Sequence, residues 1–388
     1  MASSTWMVAF TSSPSVSGEM KPGADILILG AGVVGLSAAR RLSALGASVT
    51  VLDAVEPGGR GSRAAAGVAI PSVRLFDDPV MLAFARAGRG TLAEDLASLP
   101  GGDLLRRGNG ILRVVVDAKA RDALAAKAVA DVEGLGTWRD AASLVSLEPA
   151  LEGTPLFGAF ETDQGHLVDT DGYVDALLKA AAHVGVRLRL GVAARSVSES
   201  STGVEVQTEG ETFRADRLLV CAGPWSAGVE GLPSLPLKPM RGQMLVVHQP
   251  GLHLTRVVSG PSYLAPWRSG EIVVGATEED AGFVEQVTPA GLLHLSATVA
   301  KLAPRLRDAR FVRAWAGLRA ATPDGHPYIG RHPGTRRTYV ATGLSGQGIL
   351  TGAYTGALLA ELVAHGHCAA AEPFSPARIT DGSPLATR

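Results

Sequence analysis

The chain opens its ordered pattern with a continuous apolar run, Ile26-Leu-Ile-Leu29, of the kind a strand shows when both its faces are buried. Residues 33–45 then carry apolar positions at helical spacing, and 48–52 form a second strand that ends in Asp53. Strand, helix and strand in this order predict a parallel α/β unit. Downstream the periodicity predicts helices over 79–99, 118–132 and 170–183, with a strand at 111–116 between the first two. Strands are expected at 186–190, 203–208 and 215–220. Short apolar runs at 244–247, 257–258, 262–265 and 271–274 predict an antiparallel sheet whose face roofs a substrate site, followed by a helix over 287–302. From 325–330 and 338–340 the pattern of the first unit returns, and a glycine-rich loop, 343–348, opens a last helix over 349–364. The expected architecture is therefore α/β with two lobes. One is discontinuous over 24–108, 160–238 and 320–370. The other, over 109–159 and 239–319, is inserted into it. Residues 1–23, Ser- and Thr-rich and broken by Pro14 and Pro22, read as a flexible tail.

The turn between the first strand and the first helix is Gly30-Ala-Gly-Val-Val-Gly35, and Asp53 follows at about 20 residues, the spacing of the dinucleotide fingerprint. Gly30 serves the tight turn, Gly32 the approach of backbone to a pyrophosphate, and Gly35 the packing of helix on strand. A diphosphate there meets free N–H groups and the positive end of a helix dipole. Asp53 is placed to accept hydrogen bonds from two ribose hydroxyls. After it, residues 56–67 are mostly small and hold no backbone away from a ligand, and Cys221-Ala-Gly-Pro-Trp-Ser226 is a strand end followed by a tight turn.

Composition narrows the reading without redirecting it. Hydrophobic residues make up 46% of 388 and charged residues 19%, as in a soluble globular protein with enough chain to complete its own core. A net charge of −1 excludes a general affinity for nucleic acid or anionic membrane. Residues 26–39 are too short to span a membrane, and 340–360 are too rich in Gly, Thr, Ser and Gln, so no membrane span is expected. Two distant cysteines, Cys221 and Cys368, fit a reducing cytoplasm and offer neither a disulfide framework nor a metal site. The nine histidines include no HxxxH or HExxH spacing, so no metal is expected. Self-association is left open.

Taken together, GAGVVG at 30–35, the GGR-plus-AAAG loop at 58–67, AGPWS at 222–226, Arg241-Gly242-Gln243, Gly275-Ala-Thr277, Trp315-Ala-Gly-Leu-Arg319, Asp324-Gly-His-Pro-Tyr-Ile-Gly330 and the loop at 343–350 resemble the D-amino-acid oxidase family of flavoproteins, and within it the glycine oxidase group that serves thiamin thiazole synthesis. The matches occur in family order from about 24 to 364. The resemblance implies non-covalent FAD in a Rossmann-like lobe, a second lobe with a large antiparallel sheet, a small amino acid or amine as substrate, and O2 as electron acceptor. It implies cofactor contacts from Gly30, Gly32, Val33, Val34, Gly35, Asp53, Ala54, Gly61, Ser62, Ala66, Gly67, Val68, Ala194, Ala222, Gly223, Trp225 and Arg319. The closing loop adds Leu344, Ser345, Gly346, Gln347, Gly348, Ile349 and Leu350.

Flavin amine oxidation asks little acid–base chemistry of the protein. A hydride leaves the α-carbon, and the imine hydrolyses in water to an oxo acid with ammonia or amine. Arg319 is the expected carboxylate grip, through two parallel hydrogen bonds, with a structural ion pair as the alternative. Tyr263 matches a family tyrosine whose hydroxyl assists. The chain departs from the glycine oxidase pattern at Gly346, where that group carries a second arginine, and at Glu278, which replaces an apolar methionine. Both put the identity of the substrate in question between glycine, an N-substituted glycine and a D-amino acid. The alternatives are a dehydrogenase passing electrons to another acceptor, a redox-silent flavin binder, and a nicotinamide enzyme.

Overall fold

The computed structural model describes residues 25–106, 110–128, 132–260 and 262–379, so the tail expected over 1–23 lies outside the described residues. Its first sheet has six strands in the order Tyr328–Arg331, Thr338–Thr342, Arg217–Val220, Asp25–Leu29, Ser48–Asp53 and Arg187–Leu190. All pairs are parallel except the outermost, formed by Tyr328–Arg331 with Thr338–Thr342.

The continuous apolar run of the first strand is explained by what covers its two faces. Ile26 and Ile28 pack into a core with the helices Val33–Ala44, Thr170–His183 and Gly348–His365. Leu27 and Leu29 point the other way. They meet Val197, Val204 and Val206 of a small antiparallel sheet, Ser196–Glu199, Val204–Gln207 and Thr212–Ala215. The last helix is buried on nearly every side and lies close against the first. A Cβ at Gly356 would stand 2.7 Å from both Ser37 Cβ and the Val34 carbonyl oxygen. That approach carries the start of the last helix, and the loop before it, to the carboxyl edge of the sheet.

The second sheet has nine strands. Lys238–His248 lies one strand in from an edge, paired along its length with the edge strand Arg310–Ala321 and, on its other side, with Ile272–Gly275 and Glu279–Asp280. The sheet continues through Tyr263–Pro266, Val257–Ser259, Ile111–Val115, Gly158–Thr162 and Thr137–Asp140. Alternation sorts its faces. Leu245, Val247, Ile272 and Val274 pack with the helix Pro289–Leu302, whereas Met244, Val246 and Val273 face Ala66, Trp267 and Trp315.

Most expected elements occur within a residue or two of their predicted ends. Three differ in substance. The helix expected over 118–132 runs only over Ala118–Lys127, with no buried residue to bind it to the core. The strand expected at 244–247 is eleven residues long, and Arg319, for whose surroundings no strand is predicted, sits near the end of a strand of twelve. Gly158–Thr162 belongs to the second sheet and crosses the expected lobe boundary at 160.

Because Gly356 touches backbone as well as side chain, Gly356→Ala should overpack the helix contact and destabilise the fold by about 1–3 kcal/mol. Chemical denaturation measures this, and an unchanged midpoint would contradict the close approach.

Candidate active site

Five strands of the first sheet end on one edge, and the expected cofactor residues gather there, where open α/β sheets bind ligands. Gly30 turns with φ of 105°, and a Cβ on it would lie 2.4 Å from the Cys221 carbonyl oxygen. A Cβ on Gly35 would lie 2.0 Å from the Gly30 carbonyl oxygen. The turn therefore admits no side chain at either point. Val33 and Val34 begin the helix, whose N-cap residue, Gly32, contributes no side-chain cap. Ser62 Oγ accepts from the Val33 N–H at 3.1 Å, which ties the 58–67 segment to the helix start.

Asp53 reaches back under the turn. Its Oδ2 accepts from the Ala31 N–H at 2.7 Å and its Oδ1 from the Val55 N–H at 3.1 Å, the second bond spanning Ala54. Burial pushes its carboxyl above the usual value, and the two N–H donors act in the opposite direction. The Val192 N–H donates to the Asp53 carbonyl at 2.9 Å, which places the stretch holding Ala194 beside the same strand end. On the other flank, Thr342 Oγ1 donates to the Gly223 carbonyl at 2.7 Å, and the Ala222 carbonyl accepts from the Trp225 N–H at 3.1 Å.

The closing loop lies at the same edge. Ser345 adopts φ of 46°, a left-handed conformation costing a non-glycine residue about 1–3 kcal/mol, and such strain collects at ligand sites. Gln347 precedes the helix without capping it, and Ile349 and Leu350 are buried in its first turn. Gln347 Oε1 and Thr322 Oγ1 are buried, and neither has a hydrogen-bond partner among the described residues. A Cβ on Gly346 or Gly348 would meet nothing within 4 Å. Two uncapped helix starts, a turn stripped of side chains, a half-buried carboxylate and two polar atoms without a partner among the described residues fit a dinucleotide cofactor lying along this edge.

The 58–67 segment joins this edge to the second sheet. The Ala64 carbonyl accepts from Trp315 Nε1 at 2.9 Å, the Arg60 carbonyl accepts from the Leu318 N–H at 3.3 Å, and a Cβ on Gly61 would stand 3.7 Å from the Leu318 carbonyl oxygen. Ala66 packs beside Met244 and Trp267, the Gly67 carbonyl accepts from the Val168 N–H at 2.9 Å, and Val68 packs in one cluster with Tyr263.

Arg319 and Tyr263 come together on the sheet face that looks toward this segment. Arg319 Nη1 donates to the Thr277 carbonyl at 3.2 Å, and no carboxylate among the described residues pairs with the guanidinium. The structural ion pair considered for it is thus absent from the described residues. Burial raises the pKa of the Tyr263 hydroxyl, while the neighbouring Arg319 charge lowers it, so the group remains a neutral O–H donor near pH 7. Glu278 is exposed and pairs with Arg74 at 3.3 Å, with 57% and 79% of the two side chains open to solvent. Such a pair contributes at most about 1 kcal/mol. Among the described residues no cluster of His, Cys, Asp or Glu could hold a metal, and no helix is long and apolar enough to cross a membrane.

Three residues in these surroundings entered the sequence reading only as parts of matching motifs, with no site contact assigned: Thr277, whose carbonyl anchors Arg319, and Gly242 and Gly275, which lie beneath Arg319 and Tyr263. A glycine inside an apolar strand pattern is the signal that points to such close approaches.

Replacing Asp53 with Ala would strand the Ala31 and Val55 donors and remove the ribose acceptor. Hydrogen bonds to a charged group contribute about 1.5–3 kcal/mol each. Asp53→Ala should therefore weaken FAD binding by roughly 10- to 100-fold, read by titrating apoprotein with FAD. Unchanged affinity would remove Asp53 from the cofactor site.

Similarity to known proteins agrees with this geometry. Glycine oxidase of Bacillus licheniformis is 29% identical over 347 residues, covering 87% of this chain and 92% of that one. The crystal structure of glycine oxidase from Geobacillus kaustophilus superposes with a TM-score of 0.80 at 28% identity, over 92% of this chain and 98% of that one. The crystal structure of iminodiacetate oxidase from Chelativorans sp. BNC1 gives a TM-score of 0.80 at 30% identity, over 90% and 98%. The family model of the FAD dependent oxidoreductases termed DAO matches residues 25–362, and the chain belongs to that family.

Proposed function

We propose that the protein is an FAD-dependent oxidase of small amino acids of the glycine type, glycine itself or a glycine substituted on nitrogen. The observation that carries this reading is Arg319, a guanidinium without a carboxylate partner among the described residues, beside a neutral tyrosine O–H and facing the segment that borders the cofactor edge. A cation so placed calls for an anionic ligand, and a carboxylate fits its fork.

In this reading the segments of the first sheet bind the cofactor and those of the second present the substrate. Gly30, Gly32 and Gly35 with the first helix start take the diphosphate, and Asp53 takes the ribose. The closing loop and the start of the last helix favour negative charge at the far end of the site through their dipole. Bound FAD would supply the acceptor for the hydride of the substrate α-carbon and the route by which the electron pair reaches O2, with an imine and hydrogen peroxide as products. Arg319 holds the carboxylate and is itself held by the Thr277 carbonyl, which fixes the substrate's orientation before any bond breaks. Tyr263 donates its O–H to the same carboxylate. Neither residue has to gain or lose a proton.

The substrates for which these relatives are named, glycine and iminodiacetate, share the unit N–CH2–COO⁻, which supports a glycine-type substrate for this chain.

Peroxide formation with glycine, N-methylglycine and iminodiacetate tests the proposal. At least one should give peroxide in proportion to oxo acid, and a flavin-loaded protein that releases none would overturn it. Arg319→Ala should lower kcat/KM by roughly 30- to 5000-fold, corresponding to about 2–5 kcal/mol for breaking a buried charge contact. An unaltered kcat/KM would dismiss Arg319 as the grip.

A further inference from the structure

Side chains on a sheet normally stand away from it. Those of Arg319 and Tyr263 instead lie across neighbouring strands, each over a glycine. Arg319 is registered opposite Met240, and Gly242 lies two residues further along the same face. A Cβ on Gly242 would stand 2.5 Å from Arg319 Nη2, 2.8 Å from Cζ and 3.2 Å from Nη1. One strand over, Gly275 is registered opposite both Met244 and Tyr263, and a Cβ there would stand 2.6 Å from the Tyr263 hydroxyl oxygen.

The floor under Arg319 cannot recoil easily. Arg241 Nε donates to Glu279 at 3.1 Å. Gln243 Nε2 donates to Glu279 at 2.7 Å, and Gln243 Oε1 accepts from the Thr288 N–H at 2.7 Å. The Gln243 N–H also donates to Thr277 Oγ1 at 2.9 Å, and the Thr277 N–H to the Gln243 carbonyl at 3.2 Å. Thr277 is the residue whose carbonyl holds Arg319. Floor and side wall therefore belong to one braced unit.

We propose that Gly242 is a positioning residue: the absence of a side chain there sets the depth at which the Arg319 guanidinium rests, and with it where a bound carboxylate sits. The inference rests on Arg319 being the carboxylate grip. A methyl group at 242 must lift the guanidinium, since a contact of 2.5 Å has to open to van der Waals distance and the strand beneath is pinned on both sides. Gly275 performs the same service for the Tyr263 hydroxyl.

The experiment is a double-mutant cycle on the flavin-loaded enzyme, reading the dissociation constant of sodium acetate from the change it makes in the flavin absorbance, alongside KM and kcat for glycine. Acetate carries the carboxylate and nothing to oxidise. Gly242→Ala should raise the acetate constant and KM at least tenfold, with flavin content unchanged. Arg319→Lys, which removes Nη2, the atom that comes nearest, together with Nη1, should weaken acetate about tenfold in the native background but less than threefold when added to Gly242→Ala. Equal costs in the two backgrounds, or wild-type acetate binding by Gly242→Ala, would overturn the seat while leaving the grip intact. If Arg319→Lys changes acetate binding in neither background, the grip itself fails and the seat with it. Should Gly242→Ala not fold, a double variant that folds and retains flavin would support the collision, and one that does not fold would refute it.

Discussion

The 58–67 segment is the constraint on which the rest of the site depends, because it is fastened to both sheets at once. Ser62 binds the N–H at the start of the first helix, and Ala64 and Arg60 offer carbonyls to Trp315 and Leu318 on the strand that carries Arg319. A Cβ on Gly317 would stand only 2.5 Å from Ala64 Cβ, so the contact is tight as well as hydrogen-bonded. The spacing between the sheet edge and Arg319 is thereby set by one short run of mostly small residues.

The electrostatics follow from that placement. A partly buried guanidinium with no acid beside it is costly unless a ligand supplies the missing charge. The structure arranges neutral support instead: the Thr277 carbonyl, the Tyr263 hydroxyl nearby and glycine beneath. Other acids in the neighbourhood are already engaged, Glu279 with Arg241 and Gln243, and Glu278 with Arg74. In the proposed reading, the Arg319 N–H donors that meet no carboxylate among the described residues are the ones that take the substrate.

The cofactor edge was legible in the sequence because it is local. Gly30, Gly32, Gly35 and Asp53 lie in one strand–helix–strand unit whose spacing is dictated by the ligand it wraps. The floor of the substrate site was far less legible. Lys238–His248 and Arg310–Ala321 exist as long strands because they pair with each other across some seventy residues, and Arg241, Gly242 and Gln243 interrupt the apolar alternation that would have announced the first of them. The half-polar strands Ser196–Glu199 and Thr212–Ala215 escaped for the same reason, being defined by a partner rather than by their own pattern. The helix expected over 118–132 shows the converse error: good helix formers carry it to Lys127, but no residue of Ala118–Lys127 is buried to tie it to the core.

The central claim is that the carboxylate is the handle by which this site holds its substrate. An anaerobic titration of the oxidised flavin band tests it most directly, comparing glycine and N-methylglycine with methylamine and dimethylamine, which lack that group. The account predicts bleaching by at least one of the two amino acids, recovery on admitting air, and no bleaching by either simple amine at the same concentration. Equal bleaching by the simple amines would contradict it.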